Sequence, residues 1–200
     1  MVTFSILTVC TGNICRSPLA AQLLRAGTSQ WPEVVVSSAG TGALIGAPMT
    51  DQMQVLAREF GADQTVVHAA RALTVEHLRD ADLVIALSRE HRRTIVELLP
   101  RGARHTFTLR ELARLLTGLT GEDLADIAAI DASDITGRLR ELVDVAASRR
   151  GVVPPPESPD DDDVVDPYRQ SDDVYRQSAD QLVPAVTTVL AQFAAAAVLP

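Results

Sequence analysis

Both cysteines of the chain lie in one short stretch, LTVCTGNICRSPLA (residues 7–20), at the end of the first apolar segment. Cys10 and Arg16 form a C-x5-R spacing that joins a predicted strand end to a predicted helix start. A loop in that position turns its backbone N–H groups inward, the helix N-terminus adds partial positive charge, and the Arg16 guanidinium can hold two oxygens of one anion. The same field stabilises a thiolate. The stretch therefore predicts an oxyanion cradle with Cys10 as an ionised nucleophile.

A carboxyl group is needed to complete such a reaction. A thiolate beneath a bound phosphate can attack phosphorus in line while Arg16 and the loop amides hold the other oxygens. The departing oxygen then needs a proton, and the hydrolytic water needs a base. We assign both roles to Asp166, because Pro167 fixes the backbone beside it and Tyr168 supplies a ring on which an aryl phosphate could stack.

Strands and helices alternate along the chain and must position these residues. A buried strand at 3–9 leads through the loop to a helix that Ser17 caps and Gly27 ends. Further strands are predicted at 34–36, 82–87 and 105–108, and further helices at 49–60, 74–79, 90–98, 109–116 and up to about Ala197. This order predicts an α/β fold: a three-layer α/β/α arrangement with a short parallel sheet of about four strands and a phosphate-binding loop after the first strand.

The length of 200 residues, 46% of them apolar, suits one domain. We expect a single phosphatase domain over 1–200, interrupted by an insertion at about 117–163. The first part of the insertion is patterned as one or two amphipathic helices. The second part, GVVPPPESPDDDD (151–163), is rich in proline and then acidic, which is typical of an extended, mobile and solvated connector.

The composition of the chain limits the kinds of partner that it can bind. Eighteen Lys and Arg against 26 Asp and Glu give a net charge of −8, which argues against nucleic-acid binding. No segment reaches the roughly 18 uncharged apolar residues of a membrane span, and the N-terminus lacks the pattern of a signal peptide, so we expect no membrane contact and a cytoplasmic location. His77, His91 and His105 are scattered, without carboxylates or cysteines at ligand spacing. We therefore predict no metal and no cofactor.

Two motifs, VCTGNICRSP and DPY, resemble the low-molecular-weight protein tyrosine phosphatase family. The segments SSAGTG (37–42), GAP (46–48), HAARAL (68–73) and DLVIALSREH (82–91) are similar to family segments in the family's order. The resemblance covers about 1–116 and 164–197 and leaves the insertion unmatched. It implies a protein-tyrosine-phosphatase, a hydrolase of phosphoric monoesters that forms a cysteinyl-phosphate, with Cys10 as nucleophile, Arg16 as phosphate clamp and Asp166 as general acid.

The resemblance also implies supporting roles around the loop. Ser17 would donate a hydrogen bond to the thiolate, and Asn13 would hold the loop in a left-handed turn. Ser38 and His68 would anchor the Asn13 side chain. Cys15 would pair reversibly with Cys10 under oxidation. The full set of predicted substrate-binding residues is Thr11, Gly12, Asn13, Ile14, Cys15, Ser17, Leu44 and Tyr168.

Several departures bear on the substrate. By the resemblance, Leu44 stands where the family often carries an aromatic residue that walls the substrate pocket. Ile14 stands where the resemblance places a threonine in protein arginine phosphatases of this family. The apolar Ile14 suits a phenyl ring, so we expect a phosphotyrosine protein as substrate and phosphate or other oxyanions as loop ligands. Protein arginine phosphatase is the first alternative. An arsenate reductase-like enzyme would need further cysteines, and residues 16–200 contain none. A phosphate-binding regulatory module with little turnover remains the alternative of another class.

Overall fold

A computed structural model of the chain describes residues 2–63 and 65–200. Within it, four strands form one parallel sheet in the order β2-β1-β3-β4. Their bounds are Phe4–Cys10 (β1), Val34–Gly40 (β2), Leu83–Ala86 (β3) and Thr106–Thr108 (β4). The central strand β1 pairs with β2 along its whole length, which sets Cys10 opposite Gly40. Because parallel strands share one carboxyl edge, the loop that follows Cys10 begins at the edge where β2 and β3 also end.

Helices cover both faces of this sheet. Their bounds are Arg16–Gly27 (α1), Asp51–Glu59 (α2), Val75–Arg79 (α3), Arg89–Leu98 (α4), Leu109–Leu115 (α5), Gly121–Ala128 (α6), Ile135–Ser148 (α7) and Asp172–Ala197 (α8). Phe4 and Ile6 of β1 join the larger apolar cluster, whereas Leu7 and Val9 of the same strand join the smaller one. Alternate side chains of a strand point to opposite faces, so both faces are packed. The predicted three-layer α/β/α fold with a four-stranded parallel sheet is confirmed. None of the helices in the described ranges is long and apolar enough to cross a membrane.

Two local predictions are wrong at the sheet edge. The second strand was expected to end at Val36, but β2 continues to Gly40 because its backbone pairs with the end of β1. Ser17 was expected to cap α1, but the helix begins at Arg16 and its N-cap is Cys15, which makes no side-chain capping bond. Ser17 is therefore the second residue of the helix, and its hydroxyl serves another purpose.

The segment expected as an insertion contains α6 and α7, in agreement with its amphipathic pattern. Arg138 of α7 is only 1% exposed, although it carries a charge. Its guanidinium donates hydrogen bonds to the carbonyls of Ala196, Ala197 and Leu199 at the end of α8, and to that of Ile130. The last carbonyls of a helix lack partners within the helix, so Arg138 caps α8 from the side. This contact ties α7 to the rest of the fold.

The acidic run is largely exposed, as its composition suggested, but ion pairs join it to neighbouring helices. Residues Pro159–Asp162 form a short 3-10 turn. Asp160 lies 3.0 Å from the Arg89 guanidinium of α4, and Asp162 lies 3.2 Å from that of Arg114 in α5. The Asp163 carboxylate accepts a hydrogen bond of 2.7 Å from the backbone N–H of Arg89. The run is thus held against two helices immediately before Asp166.

Candidate active site

The loop of residues 10–17, between β1 and α1, is fastened to the protein by its carbonyl groups. The carbonyls of Cys10, Thr11, Gly12 and Ile14 accept hydrogen bonds from the N–H groups of Thr41, Gly42, Leu44 and Thr50, at 2.9 to 3.1 Å. In contrast, no backbone N–H of residues 11–16 donates a hydrogen bond to any group in the part of the chain that the structure describes. Backbone donors rarely stay unpaired in folded proteins, and consecutive free donors at a helix start form an anion-binding concavity.

A cavity of about 130 Å³ opens at this loop. Its lining consists of Cys10, Thr11, Gly12, Ile14, Cys15, Arg16, Gly42, Leu44, Asp166 and Tyr168. Cys10 is buried at 2% exposure, whereas Leu44 and Tyr168 are 43% and 37% exposed. The three predicted catalytic residues therefore share one cavity with a buried sulfur at its base and apolar side chains at its rim.

Ser17 approaches the sulfur closely. Its Oγ lies 2.9 Å from the Cys10 Sγ. The same Oγ accepts a hydrogen bond of 3.0 Å from Nδ2 of Asn13, and the Ala39 carbonyl is farther away at 3.5 Å. Because the oxygen already accepts a proton from Asn13, the Ser17 hydroxyl hydrogen is free to point to the sulfur. This geometry fits the role that the sequence assigned to Ser17.

Asn13 holds the loop in shape from beneath. Its φ of 56° lies in the left-handed region, which asparagine tolerates better than most residues. Its Nδ2 donates to Ser17 and to Ser38, the latter at 2.9 Å, and its Oδ1 accepts from the backbone N–H of Arg71 at 2.9 Å. The contact with Ser38 matches the sequence expectation. The contact of His68 differs from the sequence expectation, because its Nε2 is hydrogen-bonded to the backbone carbonyl of Asn13, at 2.6 Å, and not to the side chain.

This difference has a simple physical reason. The backbone N–H of Arg71 already occupies the side-chain oxygen of Asn13, so His68 meets the main chain. Burial lowers the pKa of His68 below its ordinary value of 6.5, which keeps the ring neutral. A neutral ring has one N–H, and the carbonyl of Asn13 can only accept a proton. The Nε2 of His68 is therefore the donor.

Arg16 and Asp166 meet across the cavity. Nη1 of Arg16 donates to the carbonyl of Val164 at 3.0 Å, and Nη2 lies 2.7 Å from Oδ2 of Asp166. The buried Nε of Arg16 has no hydrogen-bond partner among the described residues. The other carboxylate oxygen, Oδ1, accepts from the backbone N–H of Tyr168 at 3.1 Å. The guanidinium is therefore oriented by Val164 and retains a buried donor for an anion.

Cys15 also lines the cavity and has its own partners. Its sulfur is 3.5 Å from Oγ1 of Thr50 and 3.9 Å from the phenol oxygen of Tyr175. Burial raises the pKa of the Cys15 thiol, so this sulfur stays protonated at neutral pH. Both cysteines are free and buried.

One residue of the site was missed by the sequence analysis. His91, grouped there with the scattered histidines, is buried in the first turn of α4. Its Nε2 is 2.8 Å from Oγ1 of Thr11, and its Nδ1 is 2.8 Å from Oγ of Ser88. Burial, and then the charge of Arg16, lower its pKa to about 4. The sequence did contain a signal for this position of His91. Ser88 caps a helix directly after β3, and this places the start of that helix at the edge where β1 ends.

Comparisons with known proteins agree with this geometry. A sequence model of the family described as "Low molecular weight phosphotyrosine protein phosphatase" matches residues 5–126. The protein-arginine-phosphatase of Geobacillus stearothermophilus is 38% identical over 123 residues, which cover 62% of this chain and 78% of the relative. The low molecular weight protein-tyrosine-phosphatase Ptp of Acinetobacter johnsonii is 35% identical over 105 residues, 52% of this chain and 71% of the relative.

Solved structures extend the likeness to nearly the whole chain. The YwlE arginine phosphatase from Geobacillus stearothermophilus has a TM-score of 0.65 at 27% identity, covering 96% of this chain and 94% of its own. The low molecular weight protein tyrosine phosphatase from T. tengcongensis has a TM-score of 0.64 at 28% identity, covering 94% and 99%. Because the family match spans more than half of the chain and includes the 10–17 loop, this chain belongs to the low molecular weight phosphotyrosine protein phosphatase family.

Proposed function

We propose that this protein hydrolyses phosphotyrosine in proteins through a cysteinyl-phosphate intermediate. The observation that carries the proposal is the position of the Cys10 sulfur at the base of a loop whose amide donors are unpaired. Arg16 and Asp166 reach the same cavity from opposite ends of the chain. The tyrosine phosphatases among the relatives support the same chemistry.

The first chemical step forms the covalent intermediate. The loop amides and the Nε of Arg16 bind the non-bridging oxygens of the phosphoryl group, where charge is held in the transition state. The Cys10 thiolate attacks phosphorus, so that an S–P bond forms as the P–O bond to tyrosine breaks. Asp166 in its acid form gives a proton to the departing phenolic oxygen. The products of this step are tyrosine, the cysteinyl-phosphate and an ionised Asp166.

The second step regenerates the enzyme. The Asp166 carboxylate takes a proton from a water molecule, and the water oxygen attacks phosphorus as the S–P bond breaks. Inorganic phosphate leaves, and the sulfur departs as a thiolate. The hydroxyl of Ser17, 2.9 Å from that sulfur, stabilises the anion by a charge-assisted hydrogen bond.

The contact between Arg16 and Asp166 links binding to proton transfer. Without a ligand, Nη2 of Arg16 holds one carboxylate oxygen at 2.7 Å. An incoming phosphoryl group competes for the same nitrogen and releases the carboxyl group from the guanidinium. Asp166, whose side chain is 53% exposed, is then free to turn to the leaving oxygen.

The cavity wall favours an aryl substrate. Ile14 is 5% exposed and lines the cavity, and Leu44 and Tyr168 form its rim. These apolar surfaces suit a phenyl ring, and stacking on Tyr168 adds about 0.5–1.5 kcal/mol beyond burial. Phosphoarginine is the second candidate, because a protein-arginine-phosphatase is 38% identical to this chain.

Steady-state kinetics with phosphotyrosine and phosphoarginine peptides test the proposal. We expect kcat/KM for phosphotyrosine to exceed that for phosphoarginine by at least about tenfold, the effect of 1.4 kcal/mol. The matched variant Ile14→Thr should move this ratio toward phosphoarginine. A wild-type preference for phosphoarginine would replace tyrosine by arginine as the substrate.

Two variants test the chemistry itself. Cys10→Ser should abolish turnover while phosphate binding stays measurable by calorimetry, and full retained activity would refute the nucleophile. Asp166→Asn should slow hydrolysis of phosphotyrosine by about 10²–10⁴-fold, with a much smaller loss for an activated phenol that leaves without a proton. Equal losses for both substrates would contradict the acid role.

We also propose that Cys15 protects Cys10 under oxidation. Peroxide converts the Cys10 thiolate to a sulfenic acid, and the Cys15 thiol displaces hydroxide from it to form a disulfide, with water as the final product. A cytoplasmic location fits this chemistry, since reductants there restore the thiols. Mass spectrometry after peroxide treatment should find a Cys10–Cys15 disulfide that dithiothreitol reverses. Finding only sulfinic or sulfonic Cys10 would end the idea.

We treat residues 1–200 as one phosphatase domain with an insertion at about 117–163. The contacts of Arg138 with the end of α8 support this division, because they join the insertion to a helix that follows it. A single cooperative unfolding transition, seen at the same denaturant concentration by fluorescence and circular dichroism, is the expected result. Two separate transitions would divide the chain into independent units.

A further inference from the structure

His91 uses both of its ring nitrogens at the edge of the 10–17 loop. Its Nε2 meets the hydroxyl of Thr11, and its Nδ1 meets the hydroxyl of Ser88, each at 2.8 Å. The ring is 4% exposed and its contact with Ser88 is buried, whereas Thr11 is exposed at the cavity. Thr11 directly follows the nucleophile and lines the cavity. The three side chains thus form a hydrogen-bonded chain from the start of α4 to the substrate cavity.

The charge on the ring decides how many hydrogens these three hydrogen-bonded side chains share. Burial and the nearby Arg16 both disfavour the imidazolium form, and only the charge of Asp166 opposes them. The ring is therefore neutral at pH 7, with one N–H and one lone pair. One of the two hydroxyl groups must donate to the ring, and the other must accept from it.

The capping contact of Ser88 decides which of the two hydroxyl groups donates to the ring. Its Oγ accepts the backbone N–H of His91 at 3.3 Å, which caps α4. In the described ranges, no other acceptor lies within hydrogen-bond distance of this hydroxyl besides Nδ1 of His91. If Nδ1 carried the proton, the buried hydroxyl hydrogen of Ser88 would have no acceptor, which is unfavourable for a buried polar group. Ser88 therefore donates to Nδ1, and the ring proton is on Nε2.

It follows that Nε2–H donates to Oγ1 of Thr11, so the hydrogen of the Thr11 hydroxyl points away from the histidine. We propose that His91 is a positioning residue that orients Thr11, so that the Thr11 hydroxyl donates a hydrogen bond to a non-bridging oxygen of the phosphoryl group. The Thr11 hydroxyl would then add a side-chain donor to the amide donors of the loop. This inference rests on the proposed phosphatase function.

A double-mutant cycle on the full chain tests the proposal. Thr11→Val and His91→Leu should each lower kcat/KM for phosphotyrosine by about 10–100-fold, the usual effect of losing a hydrogen bond to a charged group. Because the histidine acts through the threonine, the double variant should be no worse than either single variant by more than about threefold. His105→Leu is the matched control and should keep wild-type kinetics, because His105 is half-buried and no hydrogen bond of its side chain is found among the described residues.

Two further measurements separate positioning from a merely structural role. His91→Gln retains an amide donor, so it should recover most of the activity that His91→Leu loses. The affinity for vanadate should fall in parallel with kcat/KM in Thr11→Val and in His91→Leu. Losses that multiply in the double variant, or a Thr11→Val enzyme with wild-type kinetics and vanadate affinity, would overturn the proposal. Absence of all phosphatase activity in the wild type would instead refute the proposed function, while vanadate affinity would still test the role of His91.

Discussion

Replacement of Asn13 measures how strongly the fold holds the 10–17 loop. Asn13 is the only asparagine of the chain, it is fully buried, and its φ is 56°. Its side chain makes three hydrogen bonds of 2.9 to 3.0 Å. Two variants separate the contributions, because Asn13→Gly removes these bonds but tolerates the left-handed backbone, whereas Asn13→Ala removes them and strains it.

The expected losses follow from these contacts. A buried hydrogen bond contributes about 1 kcal/mol net, so Asn13→Gly should lower the free energy of unfolding by about 3 kcal/mol. Alanine in the left-handed region costs about 1–2 kcal/mol, partly offset by the lower entropy of its unfolded chain, about 0.4–1 kcal/mol. Asn13→Ala should therefore be less stable than Asn13→Gly by about 0.5–1 kcal/mol. Ser38→Ala, which breaks one of the three bonds, should lose about 1 kcal/mol.

Urea unfolding followed by circular dichroism gives these free energies. With an m-value of about 2 kcal/mol/M, a loss of 3 kcal/mol lowers the midpoint by about 1.5 M. Arg169→Gly is the matched control, because Arg169 has a similar φ of 62° but is exposed. It should differ from wild type by less than about 1 kcal/mol. An Asn13→Gly protein within 1 kcal/mol of wild type, or one less stable than Asn13→Ala, would refute the reasoning.

Three other perturbations have definite outcomes. Because the pKa of His91 falls to about 4 in the folded state, the unfolded chain binds more protons below pH 6.5. Stability should therefore drop by up to about 3 kcal/mol as the pH falls from 6.5 to 4, and His91→Leu should remove that part of the slope in a urea titration against pH. Gly40→Ala would place a Cβ 2.4 Å from the carbonyl oxygen of Thr11, so the loop must shift; stability should fall by about 1–3 kcal/mol and kcat/KM by tenfold or more. Unchanged kinetics in Gly40→Ala would contradict the close approach of Gly40 to the loop. Arg114→Gln breaks the pair with Asp162, which should cost no more than about 1 kcal/mol but speed amide hydrogen exchange in 158–163, and unaltered exchange would show that the pair does not hold the segment.

Local chemistry made much of the site predictable. The strand, the C-x5-R loop and the helix are consecutive, so residue types alone place Cys10 and Arg16 together at a helix start. The sheet and its covering helices likewise follow from patterns within single elements. Ser17 shows the limit of such reasoning, because serine at a helix start ordinarily caps it, whereas here the sulfur of Cys10 and the amide of Asn13 engage the hydroxyl.

Contacts between distant segments were not predictable from the sequence. The backbone N–H of Arg71 reaches the Asn13 side chain, and His91 reaches Thr11, only because several strands end at the same sheet edge. The ion pairs of the acidic run were unpredictable for a similar reason. Aspartates in sequence look solvated unless the arginines that face them are known, and Arg89 and Arg114 lie on two separate helices.

The long chain segment between Arg16 and Asp166 bears on how the protein is made. Contacts of large sequence separation form late, since closing a long loop has an entropic cost that is recovered only when the ends meet. During synthesis, the anion cradle of β1 and α1 therefore emerges from the ribosome well before its proton donor. Because later residues hold the loop in shape and Val164 orients the Arg16 guanidinium, a nascent chain should acquire anion binding and hydrolysis together, only when its last segments have been made.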